Sequence, residues 1–210
     1  MDNVPQCQLS DKSKPFGPDQ FPLPDFDLIG LANPASLILG GGCFWCTEAV
    51  FSRLQGVVAV TSGYAGGEES TANYKAVCGG QTGHAEVIKI EFDPTIISYG
   101  QLLKVFFSVA HNPTQLNQQG NDRGTQYRSA VFYTNDAERD VVSKYIRQLD
   151  HAKLLSGSIA TTLEPLEEFF LAEQYHQNYA ELNPRQPYIQ GVSQPKVDKL
   201  KQYFPDELSS

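Results

Sequence analysis

The stretch Ser36-Leu37-Ile38-Leu39-Gly40-Gly41-Gly42-Cys43-Phe44-Trp45-Cys46 restricts the fold more than any other part of this chain. A short apolar run followed by turn residues predicts a buried strand. The three glycines predict a tight turn at which another backbone or a ligand can approach closely. Residues 43–54 then place Phe44, Val50, Phe51 and Leu54 at helical spacing, with Gly56 as a stop. Strand, glycine turn and helix in that order put Cys43 at a helix N-terminus. Free backbone N–H groups and the positive end of the dipole there favour a thiolate, below the ordinary thiol value of about 8.5.

Further along, Val57–Val60 reads as a strand running into Gly63-Tyr64-Ala65-Gly66-Gly67, and residues 68–83 as a polar, glycine-dotted loop. Residues 84–93 alternate as a strand closed by Pro94. Ser98 caps a helix with an apolar stripe of Leu102, Leu103, Phe106, Phe107 and Ala110, and Arg128–Tyr133 is the next strand. The order β-α-β-β-α-β predicts an α+β fold, a two-layer ferredoxin-like plait with helices on one face of an antiparallel sheet. A helix over 136–150 capped by Asn135, a strand around 158–163 and a helix over 170–180 are expected as C-terminal additions. Residues 1–35 carry six of the thirteen prolines and no apolar periodicity. They read as an irregular N-terminal extension, either a floppy tail or partly ordered by Phe16, Phe21 and Phe26 lying on the core. The expected organisation is the extension at 1–35, one main domain at 36–190 and a partly helical tail at 191–210.

Sixteen Lys plus Arg against twenty-four Asp plus Glu leave a net charge of −8 over 210 residues. Such a chain lacks the basic footprint for nucleic acid or an anionic membrane surface. Its longest apolar runs, such as Val105-Phe106-Phe107, are far short of the roughly 20 residues that span a bilayer. The start MDNVPQCQLS has neither a basic nor an apolar signal region, and no arginine precedes Arg53. A cytosolic protein with reduced thiols is therefore expected.

Four cysteines, Cys7, Cys43, Cys46 and Cys78, are too sparse for a disulfide scaffold. Taken alone, Cys43-Phe44-Trp45-Cys46 leaves three readings open: a redox pair, half of a zinc site, or incidental spacing. Zinc would need two more soft ligands, and no second pair stands at ligand spacing. No metal is therefore expected. In an undistorted helical turn the two Cβ atoms lie about 5–6 Å apart, whereas a disulfide wants roughly 3.5–4.5 Å. A bond thus forms only if the first turn tightens, which suits a transient link. A phosphate-binding turn is excluded, because G-K-[S/T] is missing and CFWC offers no polar contacts.

In the strand His84–Asp93, Glu86 falls on the same face as Ile88, Ile90 and Phe92, while Lys89 and Glu91 fall on the other. A carboxyl in an apolar row is desolvated and keeps its proton, which suits it to donate one near neutral pH. The opposing reading is a frayed strand end with Glu86 in water. Tyr64, among three glycines, and Tyr127, at the end of a polar loop, could each aim a hydroxyl at a ligand, or be ordinary half-buried tyrosines.

Five segments together resemble the type A peptide methionine sulfoxide reductases: GGCFWC (41–46), TSGYAGG (61–67), GQTGHAEV (80–87), GNDRGTQYRS (120–129) and AEQYHQNY (172–179). The resemblance spans residues 36–190. It implies Cys43 as the nucleophile on the sulfoxide sulfur and Glu86 as the proton donor to its oxygen, helped by Tyr64 and Tyr127. It further implies Phe44 and Trp45 as an apolar wall for the substrate methyl group, with Asp122 ordering the pocket. Implied too are selectivity for the S epimer, free or in oxidised peptides and proteins, and a Cys43 sulfenic acid intermediate. No cofactor is implied beyond an external reductant, thioredoxin or dithiothreitol, and the chain is expected to act as a monomer. Many relatives regenerate with cysteines near the C-terminus, but none follows Cys78 here, and position 46 is Cys where many relatives have Gly. Cys46 is accordingly expected to be the resolving thiol, with Cys78 a bystander and Cys7 on its flexible arm a remoter alternative. Two rivals stand beside this reading: a general thiol–disulfide oxidoreductase using the Cys43–Cys46 pair, and a non-enzymatic redox sensor.

Overall fold

A computed structural model describes residues 17–209. Cys7 and Phe16 lie outside the described residues. A six-stranded sheet in the order β7-β6-β1-β3-β2-β8 forms the centre. Its strands are β1 (Ala35–Gly41), β2 (Val57–Ala65), β3 (Ala85–Phe92), β6 (Ser129–Tyr133), β7 (Thr162–Pro165) and β8 (Phe169–Leu171). Neighbours run antiparallel except β6 and β7, which are parallel. A separate small hairpin pairs β4 (Gln118–Gln119) with β5 (Asp122–Arg123).

The apolar run of β1 is explained by burial on both faces. Leu37 and Leu39 join the main core with Ile88, Ile90 and Phe92. On the other face Ile38 joins Val87, Ala130 and Phe132 under Leu166 and Phe169. The main core is roofed by α1 (Phe44–Phe51), α3 (Tyr99–Val105), α4 (Asp136–Ala152) and α6 (Gln194–Tyr203). This is the mixed α+β architecture expected from the sequence.

Three of the helix starts follow the capping logic, among them the two longest expected ones. Ser98 accepts from Gln101 N while the Gln101 side chain returns to Ser98 N, and Asn135 accepts from Glu138 N. The expected helix over 98–110 is α3 continued by a wider turn at Phe106–Ala110. The stretch 191–210 carries α6, whose Val197 and Leu200, with the following Phe204, are buried.

Three expectations change. The loop 68–83 contains α2 (Tyr74–Cys78), capped by Asn73 accepting from Ala76 N. The strand expected at 158–163 begins later, at Thr162. The helix expected over 170–180 is instead β8, a tight turn at Gln174–His176 and α5 (Tyr179–Leu182). Side chains there satisfy backbone groups that a helix would have used. The Gln177 amide bonds both Ser62 N and Ser62 O, at 2.9 and 3.0 Å. Gly63 makes room for β8, since a Cβ there would lie 2.3 Å from the Phe169 ring.

Within the extension, Phe21 is buried, but Phe26 is 62 % exposed, contrary to its expected place on the core. Phe26 lies under Lys144, whose Nζ is 5.0 Å from the ring centre. Polar ties also hold this segment: Tyr145 donates to Pro22 O at 2.6 Å, and the Asp27 carboxylate accepts from Gly100 N at 2.9 Å.

Candidate active site

The turn between β1 and α1 sets the geometry. Gly42 has φ +87°, and a Cβ there would meet the Gln119 side chain at 2.6 Å. Glycine thus serves both the backbone conformation and the approach of the β4–β5 hairpin. Cys43 is the residue before the first helical position, with φ −57° and ψ 126°. The Phe44 N–H, one of the free donors at the start of α1, donates to Glu86 Oε2 at 3.1 Å. Strand β3 therefore delivers its carboxyl to the first turn of α1, beside the Cys43 sulfur.

Glu86 is 2 % exposed. Burial pushes its pKa up to about 8, against the pull of the Phe44 N–H bond, so the carboxyl holds its proton at pH 7. The parity count along the strand and the desolvation argument both meet this geometry. The expectation of a dipole-lowered Cys43 thiolate does not. Cys43 is 8 % exposed, and burial pushes its thiol well up. The helix terminus is too weak to offset this, since its leading N–H is already bonded to Glu86. Cys43 hydrogen-bonds the Cys46 sulfur, and that bond is the main cause that brings Cys46 down to about 7. In the reduced pair the second cysteine ionises first.

Cys43, Phe44, Trp45, Glu86, Asp122 and Tyr127 all line one cavity of about 190 Å³. It is small beside the several hundred Å³ of a site for a drug-sized molecule, and it suits a single side chain. Trp45 forms a fixed wall. Its ring stacks on Tyr179 with centroids 3.8 Å apart and planes at 11°, and its indole N–H donates to His176 Nδ1 at 3.1 Å. Burial lowers the His176 pKa and keeps that ring neutral, so the Nδ1 lone pair stays available.

Tyr64 is a correction. It is fully buried on β2, outside the cavity lining, and its hydroxyl donates to Glu173 Oε2 at 2.9 Å. Tyr74 occupies the cavity wall instead, presented by α2, with its backbone N–H donating to Glu173 Oε1 at 2.9 Å. Burial raises the phenols of Tyr74 and Tyr127 above their ordinary value, so both remain donors.

Gln186 and Tyr188 also line the cavity and were missed, because nothing local in PRQPYIQ points back to residue 43. Tyr74 could have been found from Asn73 as a cap before Tyr-Lys-Ala-Val-Cys. Cys78, the last residue of α2, is exposed. Among the described residues no group of three or more His, Cys, Asp or Glu is placed to hold a metal ion, and no helix is long and apolar enough to cross a membrane.

A thiol pair, a protonated buried carboxyl and two phenols around a small aromatic-walled cavity can protonate a polar oxygen while a sulfur attacks the atom that bears it. Comparison with known proteins points to the same chemistry. Residues 35–208 match the family model described as peptide methionine sulfoxide reductase. Peptide methionine sulfoxide reductase MsrA of Natronomonas pharaonis is 48 % identical over 176 residues, covering 84 % of this chain and 98 % of its own. MsrA 2 of Mesorhizobium japonicum is 52 % identical over 168 residues, covering 80 % and 86 %. The reduced form of Mxr1 from Saccharomyces cerevisiae superposes with a TM-score of 0.68 at 36 % identity, covering 77 % of this chain and 92 % of that one.

Proposed function

The chain belongs to the peptide methionine sulfoxide reductase family and is a reductase of methionine sulfoxide; from that premise we propose that the reaction runs through Cys43, Glu86 and Cys46. The observation that carries this reading is the buried Glu86 carboxyl, bonded to Phe44 N beside the Cys43 sulfur in a cavity walled by Trp45.

The substrate methyl group rests on Phe44 and Trp45, and the sulfoxide oxygen faces Glu86, Tyr74 and Tyr127. Sulfoxide sulfur is a poor electrophile until its oxygen is protonated, and neutral Glu86 supplies that proton. The Cys43 thiol passes its own proton to the Cys46 thiolate and attacks. The attack forms a bond between Cys43 and the substrate sulfur; that bond breaks again as the protonated oxygen passes from the substrate sulfur to Cys43, and methionine leaves with two electrons gained. Cys43 keeps the oxygen as a sulfenic acid, and Glu86 is left ionised. Cys46 then closes a disulfide with Cys43 and water leaves. Thioredoxin, or dithiothreitol in the test tube, restores both thiols.

The resemblance supports the S epimer as substrate, free or in oxidised proteins; we further propose action in the cytosol, as a monomer. It also supports residues 36–190 as the catalytic domain, flanked by the extension at 1–35 and the tail at 191–210. We read β1, β2, β3 and β6 with α1 and α3 as the ferredoxin-like plait.

One equivalent of separated S or R sulfoxide tests this reading. The wild type should release one methionine from the S form alone and yield a Cys43–Cys46 disulfide on peptide mapping. Cys43→Ser should release none, and Cys46→Ser should release one without recycling by thioredoxin. A first disulfide to Cys78 or Cys7 rejects Cys46 as the resolving thiol. Disulfide exchange that survives in Glu86→Gln while sulfoxide turnover also survives favours the general oxidoreductase.

A further inference from the structure

The resolving step raises a problem that the reductive step does not. After Cys43 has been oxidised, Cys46 holds the proton it took from its neighbour and must lose it inside an occluded site. Cys46 is fully buried, so bulk water is not the acceptor. Its sulfur instead meets the hydroxyl of Tyr188 at 3.9 Å, with the thiol donating. That hydroxyl donates in turn to Oδ2 of Asp122. Thiol, phenol and carboxylate thus form one directional row of hydrogen bonds, drawn from α1, the turn before Ile189 and β5. The row ends at the half-buried Asp122, which lines the same cavity as Cys43.

We propose that Tyr188 and Asp122 are the proton relay that deprotonates Cys46 for its attack on the Cys43 sulfenic acid. The proposal rests on the reading of Cys46 as the resolving thiol. Tyr188 touches the reacting sulfur and acts as a catalytic residue, while Asp122 acts through it as a positioning residue and proton acceptor. The thiol proton moves to the Tyr188 oxygen as the phenol proton moves to Asp122. The freed electron pair of Cys46 forms the S–S bond, the S–O bond of the sulfenic acid breaks, and hydroxide leaves. Asp122 returns the proton to that hydroxide as water, so no outside reactant is consumed. Tyrosine suits the middle position because one oxygen both accepts and donates. It never needs to ionise, and burial holds its phenol far above the ordinary value. The other titratable or charged groups facing Cys46 are Cys43 at the turn and Lys196 on α6, with Glu86 across the cavity. Lys196 favours the thiolate, whereas Glu86, left ionised by the first step, disfavours it.

Rapid mixing with one equivalent of methionine S-sulfoxide separates the two steps, reading methionine release and disulfide formation on the same sample. Tyr188→Phe should slow disulfide formation at least about tenfold more than it slows methionine release. The sulfenic acid should then accumulate and be trapped by a cyclic dione. The disulfide rate of the variant should rise about tenfold per pH unit between about pH 6 and 8, because the thiol must ionise unaided. Asp122→Asn, which keeps its shape, should give the same pH slope, whereas the wild type stays flat. Equal slowing of both steps, or a flat profile in both variants, overturns the relay and leaves Tyr188 and Asp122 as scaffolding. Peptide mapping of the oxidised wild type distinguishes the remaining failure. A first disulfide that omits Cys46 defeats the reading of the resolving thiol, and the relay falls with it.

Discussion

Glu86 and His111 both lie against the glycine turn, and burial keeps both uncharged, one by raising its pKa to about 8 and the other by lowering it to about 3. A Cβ on Gly40 would sit 3.4 Å from Glu86 O, and one on Gly41 would sit 3.4 Å from His111 Cγ. Their surroundings then diverge. His111 Nδ1 lies 3.0 Å from Phe106 O, so it carries the ring proton. Nε2 accepts from Ser129 Oγ at 2.6 Å, and Ser129 meets Thr161 Oγ1 at 2.6 Å. Every polar atom of that row has a partner, and the row is structural. Glu86 has a backbone donor on one oxygen and opens on the cavity. Burial sets which form of a group is present; His111 borders a cavity too, and what separates it from Glu86 is that both of its ring nitrogens are already engaged within the protein.

The sharpest way to break this comparison is to neutralise each group in turn. Glu86→Gln should lower kcat/KM for the sulfoxide by roughly 10²–10⁴, the usual contribution of a positioned acid. His111→Asn should leave the rate per folded molecule within about threefold while lowering unfolding free energy by about 1–3 kcal/mol through an unpaired partner. Comparable rate losses in steady-state assays of the two variants would erase the distinction.

A second contrast lies between the tyrosines. Tyr74→Phe and Tyr127→Phe should each lose about tenfold in kcat/KM, the worth of one hydrogen bond to a developing charge. Tyr64→Phe should stay within about twofold and lower stability by about 1 kcal/mol, because Glu173 loses a donor. A tenfold loss at Tyr64 would return that residue to the site.

Acidity sharpens the comparison further. Because Glu86 donates only when protonated, methionine release should decline above about pH 8 in the wild type and not in Glu86→Gln. The folded value exceeds the ordinary 4.5, so the stabilisation is complete below about 4.5 and disappears as pH rises through about 8. Thermal unfolding should therefore find Glu86→Gln with the higher Tm at pH 9, the gap closing toward pH 5. At His111 the sign reverses. Its value falls from 6.5 to about 3, so its stabilisation is present above 6.5 and is lost as pH drops toward 3. The Tm of the wild type should fall more steeply below about pH 6 than that of His111→Asn.

How much was legible in the sequence follows the range of the forces involved. The strand–glycine–helix turn and the parity of Glu86 with Ile88, Ile90 and Phe92 are local, and the structure has both. Tyr74 was hidden because α2 spans five residues, too few for periodicity to register. The β8 region was misread as helix because Glu173 and Gln177 bond to segments about 100 residues away, which no local pattern reports. The acidity of Cys43 went astray for the same reason. A dipole argument sees α1 alone, whereas burial comes from everything packed around it.

Trp45 is the chain's single tryptophan, and it is held between Tyr179 and His176 two residues from the nucleophilic sulfur. All indole fluorescence of the molecule is therefore emitted from the reaction chamber itself. Any change in the charge or bonding of the adjacent sulfurs alters the emission without an attached dye, and the catalytic cycle can be followed by light in the unmodified protein.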